Sequence, residues 1–273
     1  MNGINSIFLR GVTDLFRSPD DMERVDQALC GTAARVLERR GEWYRVETSY
    51  GYRGWAAKGD MRALNSRSIW DDAPKRVVVQ AAADVLSRPR VQGMCVRTLV
   101  RGCVVGLTDT DERDGWQQVC LPEGITGWLP ACFLAALPET AGVPEADLRA
   151  CVTASALSYL GTQYRWGGKS PFGIDCSGLV QMAFQLNGIT IWRDAEIKEG
   201  FPVHEIPEEE IRPADLLYFP GHVAMYLGSG KIVHATGHKG DSCVTVNSLD
   251  PRSSRCRQDL AESITAIGSA FPY

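Results

Sequence analysis

Tyr164-Arg165-Trp166-Gly167-Gly168-Lys169-Ser170-Pro171-Phe172-Gly173-Ile174-Asp175-Cys176-Ser177-Gly178-Leu179-Val180 is the stretch on which the reading of this chain turns. A glycine-rich loop runs into Cys176, and apolar residues then recur at helical spacing as Leu179, Val180, Ala183, Phe184 and Leu186, until Asn187-Gly188 stops the helix. A cysteine in the first turn of a helix meets the positive end of the macrodipole and several free backbone N–H groups. Both favour the thiolate, the form that attacks carbonyl carbon. Most of the nine cysteines sit among apolar neighbours, as in Gly102-Cys103-Val104 and Ala131-Cys132-Phe133, where a buried thiol acts as a small hydrophobe. Cys176, flanked by glycine, aspartate and serine, does not fit a core position.

A nucleophilic thiol needs a base, and the chain has only four histidines. His222 lies in Asp215-Leu216-Leu217-Tyr218-Phe219-Pro220-Gly221-His222-Val223-Ala224-Met225-Tyr226-Leu227-Gly228, and His234 in Lys231-Ile232-Val233-His234-Ala235. These segments predict strand, strand, Gly-Ser-Gly turn, strand, with the turn near the midpoint between the two histidines, so the rings are expected side by side on adjacent strands. A lone strand histidine is more often structural. A facing pair in a chain with a helix-starting cysteine reads as a base and the group that holds it. His238 reads as a solvated loop residue and His204 at most lines the cleft. A metal site from His222, His234 and Asp215 would leave Cys176 without a role, and no His-Glu-x-x-His spacing supports one, so no metal and no organic cofactor is expected.

The bulk properties fit this picture. With 273 residues, 44% hydrophobic and 23% charged, the chain has the composition of a soluble globular protein of two or three domains. A net charge of −4 without basic runs argues against nucleic acid or an anionic membrane as partner. No window is long and apolar enough for a membrane span. The first residues lack a charged region, an apolar run and a cleavage site, and the scattered, odd-numbered cysteines fit a reducing compartment, so a cytoplasmic location is expected. Nothing in the sequence sets an oligomeric state.

The first half repeats itself. Gly41-Glu42-Trp43-Tyr44-Arg45-Val46 followed by Gly51-Tyr52-Arg53-Gly54-Trp55 returns as Gly115-Trp116-Gln117-Gln118-Val119 followed by Gly124-Ile125-Thr126-Gly127-Trp128, both tryptophans at one offset (116 − 43 = 128 − 55 = 73). Short alternating strands between glycine turns predict small β-barrels at 1–64 and 75–137, joined by a linker at 65–74. Trp43 and Trp116 are expected in the barrel cores, and Trp55 and Trp128 either in the core or at the surface.

The repeat resembles the bacterial SH3-like domain. Residues 145–273 resemble the NlpC-type family of bacterial cell-wall cysteine peptidases through Tyr164-x-Trp-Gly-Gly, Asp175-Cys176-Ser177-Gly178, Arg193-Asp194-Ala195, Pro213-x-Asp215-Leu216 and the two histidine strands. The resemblance implies an α+β papain-like catalytic domain at 138–273, preceded by two all-β SH3-like barrels. It implies Cys176 as nucleophile, His222 as base, His234 as third member, and Tyr164 helping the Cys176 amide to stabilise an oxyanion. Asp175 and Ser177 would bind a free substrate amine, Asp194 would line the pocket, and Tyr52 of the first barrel, backed by Tyr50, would wall it, although both tyrosines fit a barrel surface equally. The implied substrate is a murein stem peptide with free N-terminal L-Ala, cut at the γ-D-Glu–diamino acid bond in cell-wall recycling. Alternatives are a thiol acyltransferase or amidase on the same scaffold, or a non-catalytic wall-peptide binder. Trp192, Glu196-Ile197-Lys198 and Ala214 depart from the family pattern, where proline, a more polar continuation and glycine are usual.

Overall fold

The computed structural model describes residues 5–65, 67–108 and 112–272. The chain divides into two compact units, Met1–Leu137 and Pro138–Tyr273.

The first unit contains two seven-stranded antiparallel sheets whose strand order, by position in the chain, is the same: third, second, sixth, fifth, fourth, first, seventh. In the first sheet Phe8, Leu15, Ala28, Ala34, Val46 and Ala56, from six different strands, meet in one core, so the sheet wraps around its own interior. The tryptophans reverse part of the expectation. Trp55 and Trp128 are buried, whereas Trp43 and Trp116 are half-buried. The cause is the glycine before each buried indole. A Cβ on Gly54 would stand 2.9 Å from Leu15 Cβ, and one on Gly127 2.5 Å from Val85 Cγ1, so each glycine lets two strands cross closely and carries its tryptophan inward. Trp43 instead begins a strand and packs edge-on against Phe16, with ring centroids 5.7 Å apart.

Segment 65–74 is more than a tether. Its helical turn Ile69–Asp72 is closed by a capping box between Ser68 and Asp71, and Trp70 packs with Ile7 of the first sheet and Cys120 of the second. Between the sheets, Val104 N donates to Cys30 O (2.9 Å), Cys103 Sγ to Gly11 O (3.2 Å) and Arg97 Nη1 to Leu9 O (2.9 Å). The buried cysteines are Cys30, Cys103, Cys120 and Cys176. Cys132, expected inside, is exposed, because it sits in a short 3-10 turn after the sixth strand.

The second unit pairs a six-stranded antiparallel sheet with two long helices, besides the single helical turn Gln258–Ala261. The strand order is His204–Glu205, Ala266–Ser269, Leu216–Phe219, His222–Gly228, Lys231–Ala235, Val244–Ser248. Helix Glu145–Leu157 starts behind Pro144 with Glu145 and Asp147 in its first turn. Helix Cys176–Gln185 is buried from Cys176 to Phe184, the signature of a central helix covered on all sides. Among its partners are the first helix and the His222 strand.

Arg149 of the first helix ties this unit together. Its guanidinium reaches Asp215 Oδ1 (2.8 Å), Pro213 O (2.8 Å), Ser269 Oγ (3.2 Å) and Glu145 Oε1 (2.7 Å), and lies 4.0 Å over the Phe271 ring. Asp215 is 0% exposed and also accepts from Arg212 N, so its oxygens are committed to this network rather than to any set with the histidines. Beside it, Ala214 has φ +75°. Glycine would relieve about 1–2 kcal/mol there. It would also lose a buried methyl and free the unfolded chain, each costing roughly 0.5–1 kcal/mol, so this departure comes out close to neutral.

Replacing Arg149 by Ala leaves the Asp215 charge buried and uncompensated. We expect a loss of about 3–5 kcal/mol in urea unfolding of the second unit, and a loss below about 1 kcal/mol would refute the role of this network.

Candidate active site

The loop before Cys176 is shaped by glycines. A Cβ on Gly178 would fall 2.2 Å from Gly168 O, so the first turn of the Cys176 helix seats directly on the Gly167-Gly168 backbone. Asp175 is the helix N-cap, its Oδ1 accepting from Gly178 N at 2.6 Å. Arg193, 1% exposed, grips the same carboxylate through both terminal nitrogens (3.0 and 2.9 Å), and also reaches Ser177 Oγ (2.7 Å) and Gly168 O (3.3 Å). One buried cation thus fixes the cap, the serine and the glycine loop around the thiol. Arg193 was visible in the sequence only as part of a motif, and its burial was not.

The backbone amide of Val223, the residue after His222, acts on the Cys176 thiol in the direction that favours thiolate. The two histidines share one sheet face. The register Met225↔Val233, with a bulge between Tyr226 and Gly228, places them one diagonal step apart rather than directly opposite. His222 Nε2 and His234 Nδ1 are 2.8 Å apart, and His234, fully buried, has its Nε2 2.8 Å from Asn247 Oδ1. Asn247 was missed. It is one polar residue in the strand Val244–Ser248, and only the pairing Ile232↔Asn247 beside His234↔Thr245 brings it to the histidine.

The electrostatics correct one expectation. Burial pushes the Cys176 thiol up to about 11 and the charge of Asp175 adds to this, against the Val223 amide, Arg193 and the Ser177 amide. Burial holds His222 down to about 3, helped by His234 and then Arg257 and opposed by Asp259. His234 is lowered too, again mainly by burial, with the Asn247 bond opposing. Desolvation therefore outweighs the helix dipole, and burial favours the uncharged form of both the thiol and the imidazole. The thiolate has to form by handing its proton to the imidazole.

Tyr164 is half-buried, its ring over Gly237, and burial raises its phenol, followed by the influence of Cys176 and Asp175. It is a neutral O–H donor within electrostatic reach of the thiol. Asp194 is exposed in the loop before Phe201. In that loop Trp192 packs on Phe201 (centroids 5.2 Å apart) with Lys198 Nζ 5.4 Å from the Trp192 ring, so two of the departures from the family pattern brace the loop together. Tyr52 lies in a turn of the first sheet, where its carbonyl accepts from Thr48 N. Tyr50 is buried, its hydroxyl donating to Asp26 at 2.5 Å. His238 is exposed, and His204 starts an edge strand.

A thiol at the start of a central helix, against an antiparallel sheet bearing a paired histidine, is the arrangement of a papain-like thiol hydrolase. Residues 161–256 match the model of the NlpC/P60 family, and residues 15–61 match that of the bacterial dipeptidyl-peptidase Sh3 domain. Over 273 residues the chain is 41% identical to dipeptidyl-peptidase 6 of Lysinibacillus sphaericus, spanning 98% of this chain and 100% of that protein. It is 26% identical to a gamma-D-glutamyl-L-lysine dipeptidyl-peptidase of Bacillus cereus over 227 residues, 77% of this chain and 66% of that one. The crystal structure of an NlpC/P60 family protein from Bacillus cereus superposes with a TM-score of 0.81 at 20% identity, covering 98% of this chain and 100% of that one. The chain belongs to the NlpC/P60 family and is a cell-wall cysteine peptidase with a papain-like fold.

Two outcomes follow from the ionisation states. Carbamidomethylation of Cys176 by iodoacetamide, followed by mass spectrometry of its peptide, is expected to accelerate steadily between about pH 7 and pH 10. A rate already level at neutral pH would show a preformed thiolate. The unfolded chain binds a proton at His222 near pH 6.5 and the folded chain only near about 3, so folding stability falls as pH drops through that window. His222→Asn is expected to flatten this fall in pH-dependent urea titrations, and an unchanged slope would contradict it.

Proposed function

We propose that the chain hydrolyses the γ-D-Glu–diamino acid bond of murein stem peptides that carry a free N-terminal L-Ala. The observation that carries this reading is the Cys176 helix start next to the linked His222–His234 pair. The names of the relatives support the bond: two are dipeptidyl-peptidases, and one is specified for γ-D-glutamyl-L-lysine.

In this mechanism the Cys176 proton passes to His222 as sulfur attacks the γ-carbonyl of D-Glu. The oxyanion is met by the Cys176 amide and the Tyr164 hydroxyl, a donor of this kind being worth about 3 kcal/mol. The protonated His222, held by His234, delivers its proton to the departing amine, and a thioester remains. Water deprotonated by His222 then releases L-Ala-γ-D-Glu and restores the thiol.

Asp175 and Ser177 bind the substrate ammonium. Oδ1 of Asp175 accepts from Gly178 N, Arg193 and the Ser177 hydroxyl, while Oδ2, among the described residues, accepts only from Arg193 and keeps one acceptor direction. Because Arg193 already balances the charge, selection of the amine rests on hydrogen-bond geometry more than on net attraction. Asp194 lines the pocket. The second sheet, with the strand order of the first, is a second SH3-like module. Nine free thiols, three of them exposed, favour a reducing, cytoplasmic setting and a recycling role.

The test compares L-Ala-γ-D-Glu-diaminopimelate with the same peptide capped by a muramoyl group. Cleavage of the free peptide at least about 100-fold faster is expected, in line with the loss of a buried ammonium contact. Equal rates for both would refute the free-amine requirement. Product release by Cys176→Ala at the wild-type rate would refute the thiol mechanism itself.

A further inference from the structure

His234 has two ring nitrogens, and both are engaged. Its Nε2 faces Asn247 Oδ1, and an amide oxygen can only accept, so that nitrogen carries a proton. Which end of the amide faces the histidine is fixed from the far side. Asn247 Nδ2 donates to Arg255 O at 3.4 Å, a carbonyl that also accepts from Ser248 N at 3.0 Å, so oxygen rather than nitrogen must point at His234. Asn247 is 6% exposed and has little room to turn.

The consequence passes along the chain. A neutral His234 protonated at Nε2 presents a lone pair at Nδ1. His222 Nε2, 2.8 Å away, has to donate to it. A neutral His222 with its proton on Nε2 keeps a lone pair on Nδ1, the one nitrogen left to receive the proton of the thiol. We infer that Asn247 is a positioning residue that sets the tautomer of both histidines through the bond series Arg255 carbonyl–Asn247–His234–His222, and so selects Nδ1 of His222 as the base.

An asparagine does this without adding charge. The ionisable groups acting on the rings are Arg257 and Asp259 on both, His234 on His222, and Asp241 on His234. An aspartate at 247 would accept the same bond but favour the imidazolium form. During the reaction the S–H bond of Cys176 breaks, its proton forms the Nδ1–H bond of His222, and the Nε2–H bond stays in place, donated to His234. When the amine leaves, the Nδ1 proton goes with it and the relay returns to its starting tautomers.

This inference rests on the assignment of Cys176 as nucleophile and His222 as base, and its main test needs no substrate. Long-range proton–nitrogen spectra of the full chain near pH 8, with four histidines assigned by single substitutions, are expected to show His222 and His234 as Nε2–H tautomers. In Asn247→Leu that pattern is expected to break down. A wild-type His222 protonated on Nδ1, or an unchanged pattern in Asn247→Leu, would overturn the inference.

Kinetics on L-Ala-γ-D-Glu-diaminopimelate add a second reading. Asn247→Leu is expected to lower kcat about 10–100-fold with KM within about threefold. Asn247→Asp is expected to retain most of kcat and to move the acidic limb of the kcat/KM profile to higher pH, because the new charge raises both rings. An unchanged kcat in Asn247→Leu, or an unmoved limb in Asn247→Asp, counts against the relay. Wild-type activity in Cys176→Ala would overturn the nucleophile assignment beneath it, and the tautomer spectra separate that failure from a failure of the relay.

Discussion

The carboxylate of Asp175 is held from two directions at once. It caps the Cys176 helix through Gly178 N, and it is clamped by the buried Arg193, which also holds Ser177 and the Gly168 carbonyl. An uncompensated ion of either sign in this position would cost several kcal/mol, so helix start, glycine loop and Arg193 segment form together or not at all. The thiol inherits its position from this pair. It also inherits its protonation, since the burial that makes the clamp rigid is what raises the thiol.

A second constraint comes from the sheet. The bulge after Tyr226 shifts the register of the histidine strands by one residue, which brings both rings to one sheet face, and the hydrogen-bonded series His222–His234–Asn247 runs across three adjacent strands. The thiol side supplies a nucleophile that is silent at rest, and the sheet side supplies a neutral base with its proton already placed. Catalysis then starts from two uncharged partners, the forms that burial favours.

The parts legible in the sequence were those with a period or a motif. Helix Cys176–Gln185, the histidine hairpin and the 73-residue repeat could all be read from spacing. The order of burial among the tryptophans could not, because it depends on where Gly54 and Gly127 let strands cross, a contact between residues far apart in the chain. Asn247 and the grip of Arg193 on Asp175 were invisible for the same reason: each is polar and isolated in sequence and acquires meaning only by register or burial. The expectation of a thiolate left out one force: a sequence shows the helix dipole but not the desolvation that opposes it.

The interlocked sheets of the first unit bear on how such a protein can change. Cys30 and Cys103 stand at equivalent places in the two repeats (103 − 30 = 73), and bonds between the sheets run from or beside both of them. Trp70 belongs to the core of neither copy alone but is buried between Ile7 of one and Cys120 of the other. Once a duplicated segment has fused in this way, deleting or exchanging one copy exposes the seam of the other. Recombination has to move the two as a single inherited block.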